Sequence, residues 1–533
     1  MTATITARTT PRPPVRETPG RPAVAAGRPG WPVWLAAGLA VLLRLPFLGV
    51  LPGPDEGGFM ALAAQWHPGP SLYGAYWVDR PPLLVTAFLA ADHAGGLLAL
   101  RLLGCVVVAL TVVVVGITAQ RLAGRGAATV AAVVAALLLA SPLAGAGPVN
   151  GELLAMPFTA VGIALAVAAL QPRTGRSPLA SVPWAAAGAG ACTAAAVLVK
   201  QNLADAAVFA AIAWVLACVT GRLRARRLLL LVAGAVAGAV ALTAVVAVWT
   251  LAHGTSLGGV WFAMYPFRFH ASHATGVLTS PTLQYRLVHL TELWLGSGVP
   301  LLMLALAWTV AGPRRRDPVA WALLGTLAFG MVSIMAGGSY WSHYLVELVV
   351  PVALGAGLAA RARPRVTTGV VALVAVAAAV AWGHLLVSRT ITPGAVAGRS
   401  ISRVAHPRDT LVTVFGEANT LRAAGLHSPY PYLWSLPART LDPHAALLRS
   451  VLRGTHAPTW LVASGHVEVR RLRHGLLGPV VRADFHRVAH VCGRTIYLHD
   501  GVSRATPAAG RCAAPSPLTW MGHQWERQWG RQS

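Results

Sequence analysis

The sequence predicts an α-helical polytopic membrane protein of about eleven transmembrane helices, with a small C-terminal extracytoplasmic α/β domain. Three observations predict it. The 533 residues are 55% hydrophobic and 11% charged, with a mean hydropathy of +0.60, whereas soluble domains carry about a quarter charged residues. Apolar runs long enough to cross a bilayer, about 20 residues each, recur as far as residue 386. The connectors between them alternate between arginine-rich and arginine-poor, the pattern that sorts cytoplasmic from external loops.

Taken in order, residues 1–30 are rich in Pro, Thr and Arg, with no apolar core, and read as a disordered cytoplasmic tail. The run 31–50 has no small-residue cleavage site after it, so it reads as a signal anchor and first span. Further spans fall at 97–119, 127–146, 152–170, 182–199, 203–220, 228–252, 290–311, 318–336, 343–360 and 366–386. The basic connectors are Arg121–Arg125, Arg173–Arg176, Arg222–Arg227, Arg314–Arg316 and Arg361–Arg365. They join the N-terminal tail on the cytoplasmic side. The connectors 51–96, 253–289 and 337–342, and the turns near Asn150 and Gln201, lie outside. An odd number of spans sends 387–533 outside too, with a flexible tail from about 503.

In that last segment Thr410–Phe415, Trp460–Ala463 and Thr495–Leu498 are short β-prone runs, and His444–Leu452 reads as a helix. Cys492 and Cys512 lie there, in an oxidising space that permits a disulfide. Cys105, Cys192 and Cys218 fall inside spans and read as small core residues. His466, His474, His486, His490 and His499 lack tight ligand spacing, so no metal site is read.

The net charge of +26 raises the question of nucleic acid. The arginines fall between apolar runs and in the last third, not in one patch, and this excludes it. Lys200 is the one lysine among 43 basic residues. That bias, with the wealth of Ala, Gly, Val and Leu, points to a GC-rich genome of the actinobacterial type.

Charge concentrates in the first external loop, 51–96. Pro54-Asp55-Glu56 follows the first span, and Tyr76-Trp77-Val78-Asp79-Arg80-Pro81-Pro82-Leu83 comes some twenty residues later. Carboxylates at a membrane face are costly and mark functional sites. Leu83–Ala91 and Ala61–Trp66 are apolar but too short to cross. They read as helices lying at the outer leaflet, with the acidic and arginine motifs at their ends.

This order of features resembles the GT-C glycosyltransferases of the protein-mannosyltransferase and aminoarabinose-transferase type. The matching residues are Asp55, Glu56, Tyr73, Asp79, Arg80, Pro81, Pro82 and Leu83. Single-residue echoes are Arg101, Asn150-Gly151-Glu152, Lys200, His343-Tyr344 and Pro351. The family usually has Lys where this chain has Arg80, and both are cations. The resemblance covers residues 31–386 and implies a GT-C catalytic domain there.

It also implies transfer of a sugar from a polyprenyl-phosphate donor to a hydroxyl acceptor outside the cytoplasm, on protein, polysaccharide or glycolipid. A hydroxyl needs a base to take its proton as the bond forms, and Asp55 is assigned that role. The leaving lipid phosphate gains charge in the transition state, and the fork of Arg80 suits it. Lys200 either holds the same phosphate or snorkels to lipid headgroups. Arg268, in the aromatic loop Trp261–His270 that would cover the site, is a third phosphate candidate. Glu56 orients Asp55, binds the sugar or caps a helix; Asp79 pairs with Arg80 or contacts the sugar. Glu152 complements a helix dipole or reaches the same pocket. His343 and Glu347, four apart on one helix face, read as a mutually satisfied pair that with Tyr344 lines the donor site. One acid and one cation need no cofactor, and a divalent metal is not excluded. A transporter or flippase of lipid-linked sugars is the alternative, and a scaffold presenting the C-terminal domain ranks last.

Overall fold

Residues 28–145, 147–171, 178–275, 280–387, 392–414, 416–464, 475–510 and 512 are described by the structure, a computed structural model. The expected N-terminal tail up to residue 27, the Arg173–Arg176 connector, His466, His474 and nearly all of the tail beyond 510 lie outside the described residues.

The chain opens with α1 (Trp31–Arg44), α2 (Pro54–Ala63), α3 (Pro82–His93), α4 (Leu97–Ala123) and α5 (Arg125–Leu139). It continues through α6 (Gly151–Leu170), α7 (Pro178–Val199), α8 (Asp205–Val219) and α9 (Ala225–Ala252). Two short helices, α10 (Leu257–Met264) and α11 (Pro266–Thr275), precede α12 (Pro281–Gly296), α13 (Val299–Ala311) and α14 (Pro318–Ala336). A 3₁₀ turn, Ser342–Leu348, leads into α15 (Val349–Ala362), and α16 (Pro364–Val387) follows.

By length and composition six described helices can cross a membrane, and a seventh span counts if α12 and α13 are one. Helices Trp31–Phe47, Arg125–Leu139 and Asp205–Val219 coincide with expected spans but are shorter. Neighbours pack as α4 on α5, α6 on α7, α5 on α15 and α8 on α14. Helices α7 and α9 meet backbone to backbone at Gly190 and Gly238, where any Cβ would collide with the Ala235 and Ala187 carbonyls. Small residues at such crossings let helices approach closely in lipid.

Three expected elements take a different form. The run 290–311 is not one straight helix: α12 and α13 meet at 60°. The break falls at Ser297-Gly298, where Gly298 is left-handed (φ +73°), and Pro300 opens α13. The run 343–360 starts as 3₁₀, because Pro351 has no N–H to bond back to the Glu347 carbonyl and crowds it. The short helix expected at Ala61–Trp66 begins instead at Pro54 and contains the acidic motif. Pro54 is preset for a first helical turn, and the Glu56 side chain accepts from the Gly53 N–H, 3.3 Å away.

The C-terminal part contains α17 (Pro393–Ser402), β1 (Leu411–Val414), α18 (Ala418–Ala424), α19 (Ser435–Leu441), α20 (Ala446–Arg453), β2 (Trp460–Ser464), α21 (Gly478–Asp484), β3 (Phe485–Val491) and β4 (Arg494–His499). The sheet order is β1-β2-β4-β3, with β1 and β2 parallel and the other pairs antiparallel. Strand alternation feeds two cores. Leu411, Trp460, Val462, Ile496 and Leu498 face the main body, and Val412, Val414, Leu461, Ala463 and Tyr497 face α20 and α21. Strand β3, which the β-prone runs do not include, is an edge strand that exposes His486, Arg487 and His490 and half-buries Val488 and Ala489. Cys492 and Gly493, both at positive φ, turn it into β4, and Cys492 is bonded to Cys512.

This C-terminal part rests on α2 through α18. A Cβ on Gly57 would lie 2.5 Å from the Asn419 Cα, and one on Gly58 2.5 Å from the Trp434 ring. Asn419 donates to the Pro52 carbonyl at 3.0 Å, Tyr76 Oη accepts from the Ser428 N–H at 2.9 Å, and Arg422 pairs with Asp92. Gly57→Ala pushes on backbone, so it is expected to cost about 1–3 kcal/mol and to lower the Tm of purified protein. Gly38→Ala, whose Cβ meets nothing within 4 Å, serves as the unchanged control. Equal melting of the two variants counts against a tight α2–α18 contact.

Candidate active site

The site is built on three helix starts and one tight turn. Helix α2 presents Asp55 in its first turn, half-buried. Between α2 and α3 the chain folds on itself at Ser71–Tyr76, where Gly74 (φ +72°) takes the left-handed position that favours glycine. Gln65 clamps this turn, donating to the Tyr73 carbonyl at 2.9 Å and accepting from the Ala75 N–H at 2.6 Å. Tyr73 is fully buried, and its hydroxyl donates to the Arg80 carbonyl at 2.7 Å. Burial raises its phenol above the ordinary range, so it stays a donor. The buried tyrosine therefore fixes the backbone of Arg80, and Pro81-Pro82 sends the chain directly into α3.

Asp79 is buried between two arginines. Its Oδ1 lies 2.8 Å from Arg80 Nη1 and its Oδ2 2.9 Å from Arg268 Nη1. Arg268 also donates to the Gly337 carbonyl at 3.1 Å, and Gln201 donates to the Asp79 carbonyl at 3.2 Å. Arg268 is delivered by its neighbour Phe267, which is buried and packs edge-on against Trp77 with ring centroids 4.6 Å apart. Burial works against the Arg80 charge, yet the Asp79 and Asp55 carboxylates, then Tyr344 and Glu152, hold its pKa above the usual arginine value. Asp55, Arg80, Tyr344 and Glu152 thus share one electrostatic neighbourhood.

On the opposite wall Lys200 Nζ lies 2.7 Å from Glu152 Oε1 and 5.2 Å from the Tyr344 ring centroid. His343 Nε2 lies 3.7 Å from the same Glu152 oxygen, and its ring meets Tyr344 edge-on at 5.2 Å. Asn150 caps α6 by accepting from the Leu153 N–H at 2.9 Å, which fixes Glu152 in the first turn. Cations and carboxylates alternate here: Arg80, Arg268 and Lys200 against Asp55, Asp79 and Glu152. Each of the three cations lies within 3 Å of a carboxylate oxygen.

Of the alternatives for Glu56 the structure shows the helix cap: the side chain, 1% exposed, accepts from the Gly53 N–H at 3.3 Å. Its oxygens take the Arg101 guanidinium at 2.6 Å and the Val149 N–H at 2.7 Å, which ties α2 to α4 and to the start of α6. Glu347 does not pair with His343. In a 3₁₀ turn, with three residues per turn, residues four apart diverge by about 120°. Glu347 instead accepts from Asn202 Nδ2 at 2.9 Å. The motif search also misses Trp434, whose Nε1 donates to Asp55 Oδ1 at 3.0 Å. It stands in the Pro429–Trp434 run of prolines and aromatics, which carries no chemical signature. Among the described residues no cluster of three or more His, Cys, Asp or Glu side chains is placed to hold a metal ion.

No family model matches the sequence, and no curated protein matches it. Solved structures do match in fold. The crystal structure of ArnT from Cupriavidus metallidurans bound to undecaprenyl phosphate superposes with a TM-score of 0.59 at 16% identity, covering 88% of this chain and 98% of that one. The apo oligosaccharyltransferase of Archaeoglobus fulgidus gives 0.54 at 13% identity, covering 86% and 72%. AglB from Archaeoglobus fulgidus, in complex with an inhibitory peptide and a dolichol-phosphate, gives 0.52 at 12% identity, covering 92% and 74%. The chain therefore shares its fold with these structures.

Proposed function

We propose that the protein is a membrane glycosyltransferase that takes a sugar from a polyprenyl-phosphate donor and passes it to a hydroxyl on the extracytoplasmic side. The observation that carries this reading is the Asp79–Arg80 pair at 2.8 Å in one electrostatic neighbourhood with Asp55, supported by Lys200–Glu152, His343 and Tyr344. That some structures of this fold hold undecaprenyl phosphate or dolichol-phosphate supports the same donor class. In this reading eleven helices span the membrane, the N-terminus is cytoplasmic, and residues 387–533 form the external domain.

The acceptor oxygen attacks the anomeric carbon while the bond from that carbon to the phosphate oxygen breaks. The acceptor proton passes to Asp55, and the bonding pair leaves with the lipid phosphate. Charge builds on the phosphate as it departs, and Arg80 stabilises that state more than the ground state. Arg268 and Lys200 add to the field from either side; Asp79 orients Arg80, and Glu152 orients Lys200. Tyr344 and His343 line the sugar's end of the pocket. Glu56 holds α2 in place and takes no part in the chemistry.

The test is a deletion strain. Mass spectrometry of its lipids is expected to find one polyprenyl-phosphate sugar accumulating, and re-expression is expected to return it to the parental level. A lipid pool identical to the parent's counts against the reading. To separate transfer from flipping, membranes opened to both faces are given that lipid. A transferase still consumes it and releases polyprenyl phosphate, whereas a flippase leaves it intact.

A further inference from the structure

We infer that Trp434, from the C-terminal part of the chain, is a positioning residue of the reaction: its indole N–H holds the Asp55 carboxylate. The inference rests on the reading of Asp55 as the base and adds a contributor that lies 379 residues away in the chain. The bond is 3.0 Å, from Nε1 to Oδ1. No described residue donates to the other oxygen, so one lone-pair edge of the carboxylate is occupied and the second is left for the acceptor hydroxyl. A base held by one donor keeps a fixed orientation, which near-attack geometry requires.

The indole is itself tightly placed. Its six-membered ring fills the space a Gly58 Cβ would take, and it packs on Phe59 with centroids 5.1 Å apart. The chain leading to it is tied to the first loop at Trp77, whose N–H donates to the Pro431 carbonyl at 3.1 Å. The sequence Asp55-Glu56-Gly57-Gly58 then has a single logic. The carboxylate does the chemistry, Gly58 clears room for the indole that aims it, and Gly57 admits Asn419 of α18 beside it. The C-terminal part thereby completes the active site as one of its walls.

The experiment uses the full-length protein in lipid nanodiscs, with the lipid extract of the deletion strain as donor and release of polyprenyl phosphate as readout. Trp434→Phe keeps the ring against Phe59 and Gly58 and removes the N–H. Turnover is expected to fall about ten- to hundred-fold, the worth of one hydrogen bond to a charged acceptor, with Tm unchanged. The loss is expected in kcat with KM for the donor unchanged, because the carboxylate is mis-aimed while the phosphate end of the site is untouched. A wild-type kcat in Trp434→Phe, with Asp55→Asn inactive, overturns the inference and leaves the base assignment standing. Full activity in Asp55→Asn overturns the base assignment itself. A lower Tm with kcat and KM both altered means that Trp434 only packs, which also overturns the inference. Where Phe fails to fold, benzothienylalanine at 434 preserves the bicyclic shape, lacks only the N–H and is read the same way.

Discussion

Asp55→Asn is expected to lower sugar transfer by about a thousand-fold, within the range general bases contribute, without changing the melting temperature. The amide matches the carboxylate in size. Its Oδ1 still accepts from Trp434, and the Glu56–Arg101 tie that seats α2 is untouched. What the amide cannot do is take a proton from a hydroxyl as it attacks. The loss should appear in kcat with little change in KM, because the proposed reading gives the donor phosphate to Arg80 and its neighbours, not to residue 55. Steady-state release of polyprenyl phosphate against donor concentration makes that split visible. A KM effect with kcat preserved would move Asp55 from proton transfer to donor binding. Asp55→Glu makes a second reading of the same site. It keeps the acid but extends it by one methylene into a position fixed by the Trp434 hydrogen bond, so partial activity is expected.

How much of this was legible in the chain depends on distance along it. The charged first loop is local: Asp55, Tyr73, Asp79 and Arg80 sit within one connector, and their spacing resembles a known motif without any three-dimensional knowledge. Tyr73 has a concrete role there, as the donor that fixes the Arg80 carbonyl. Partners brought from afar were legible only as types. Arg268 is 189 residues from Asp79 and meets it because Phe267 docks on Trp77, a packing event with no periodic signature. Trp434 gave no signal, since an aromatic in a proline-rich run usually marks a surface turn. The pairing of His343 with Glu347 failed for a local reason: it assumed α-helical spacing where Pro351 imposes a 3₁₀ start. Strand β3 was hidden because an edge strand need not be apolar.

Glu56 offers the largest effect on stability, and it separates two adjacent carboxylates that a motif treats alike. Glu56→Gln keeps an acceptor for the Val149 N–H but removes the charge that matches Arg101. Arg101 is 4% exposed and, among the described residues, otherwise reaches only the Phe47 carbonyl, at 2.6 Å. Leaving one member of a buried pair uncompensated typically costs about 3–5 kcal/mol. A clear fall in Tm in nanodiscs and in the yield of folded protein is therefore expected. The molecules that fold should turn over within a few-fold of wild type, because the Glu56 oxygens face α4 and the start of α6, away from the pocket. Glu56→Gln/Arg101→Met removes both charges and preserves the volume of the stem. It should recover a good part of the lost stability, since the penalty is an unmatched charge and not a missing contact. If instead Glu56→Gln melts like wild type and loses transfer by orders of magnitude, the residue belongs to the chemistry and Asp55 does not act alone. The geometry argues otherwise, because every oxygen of Glu56 already has a partner on the structural side of α2.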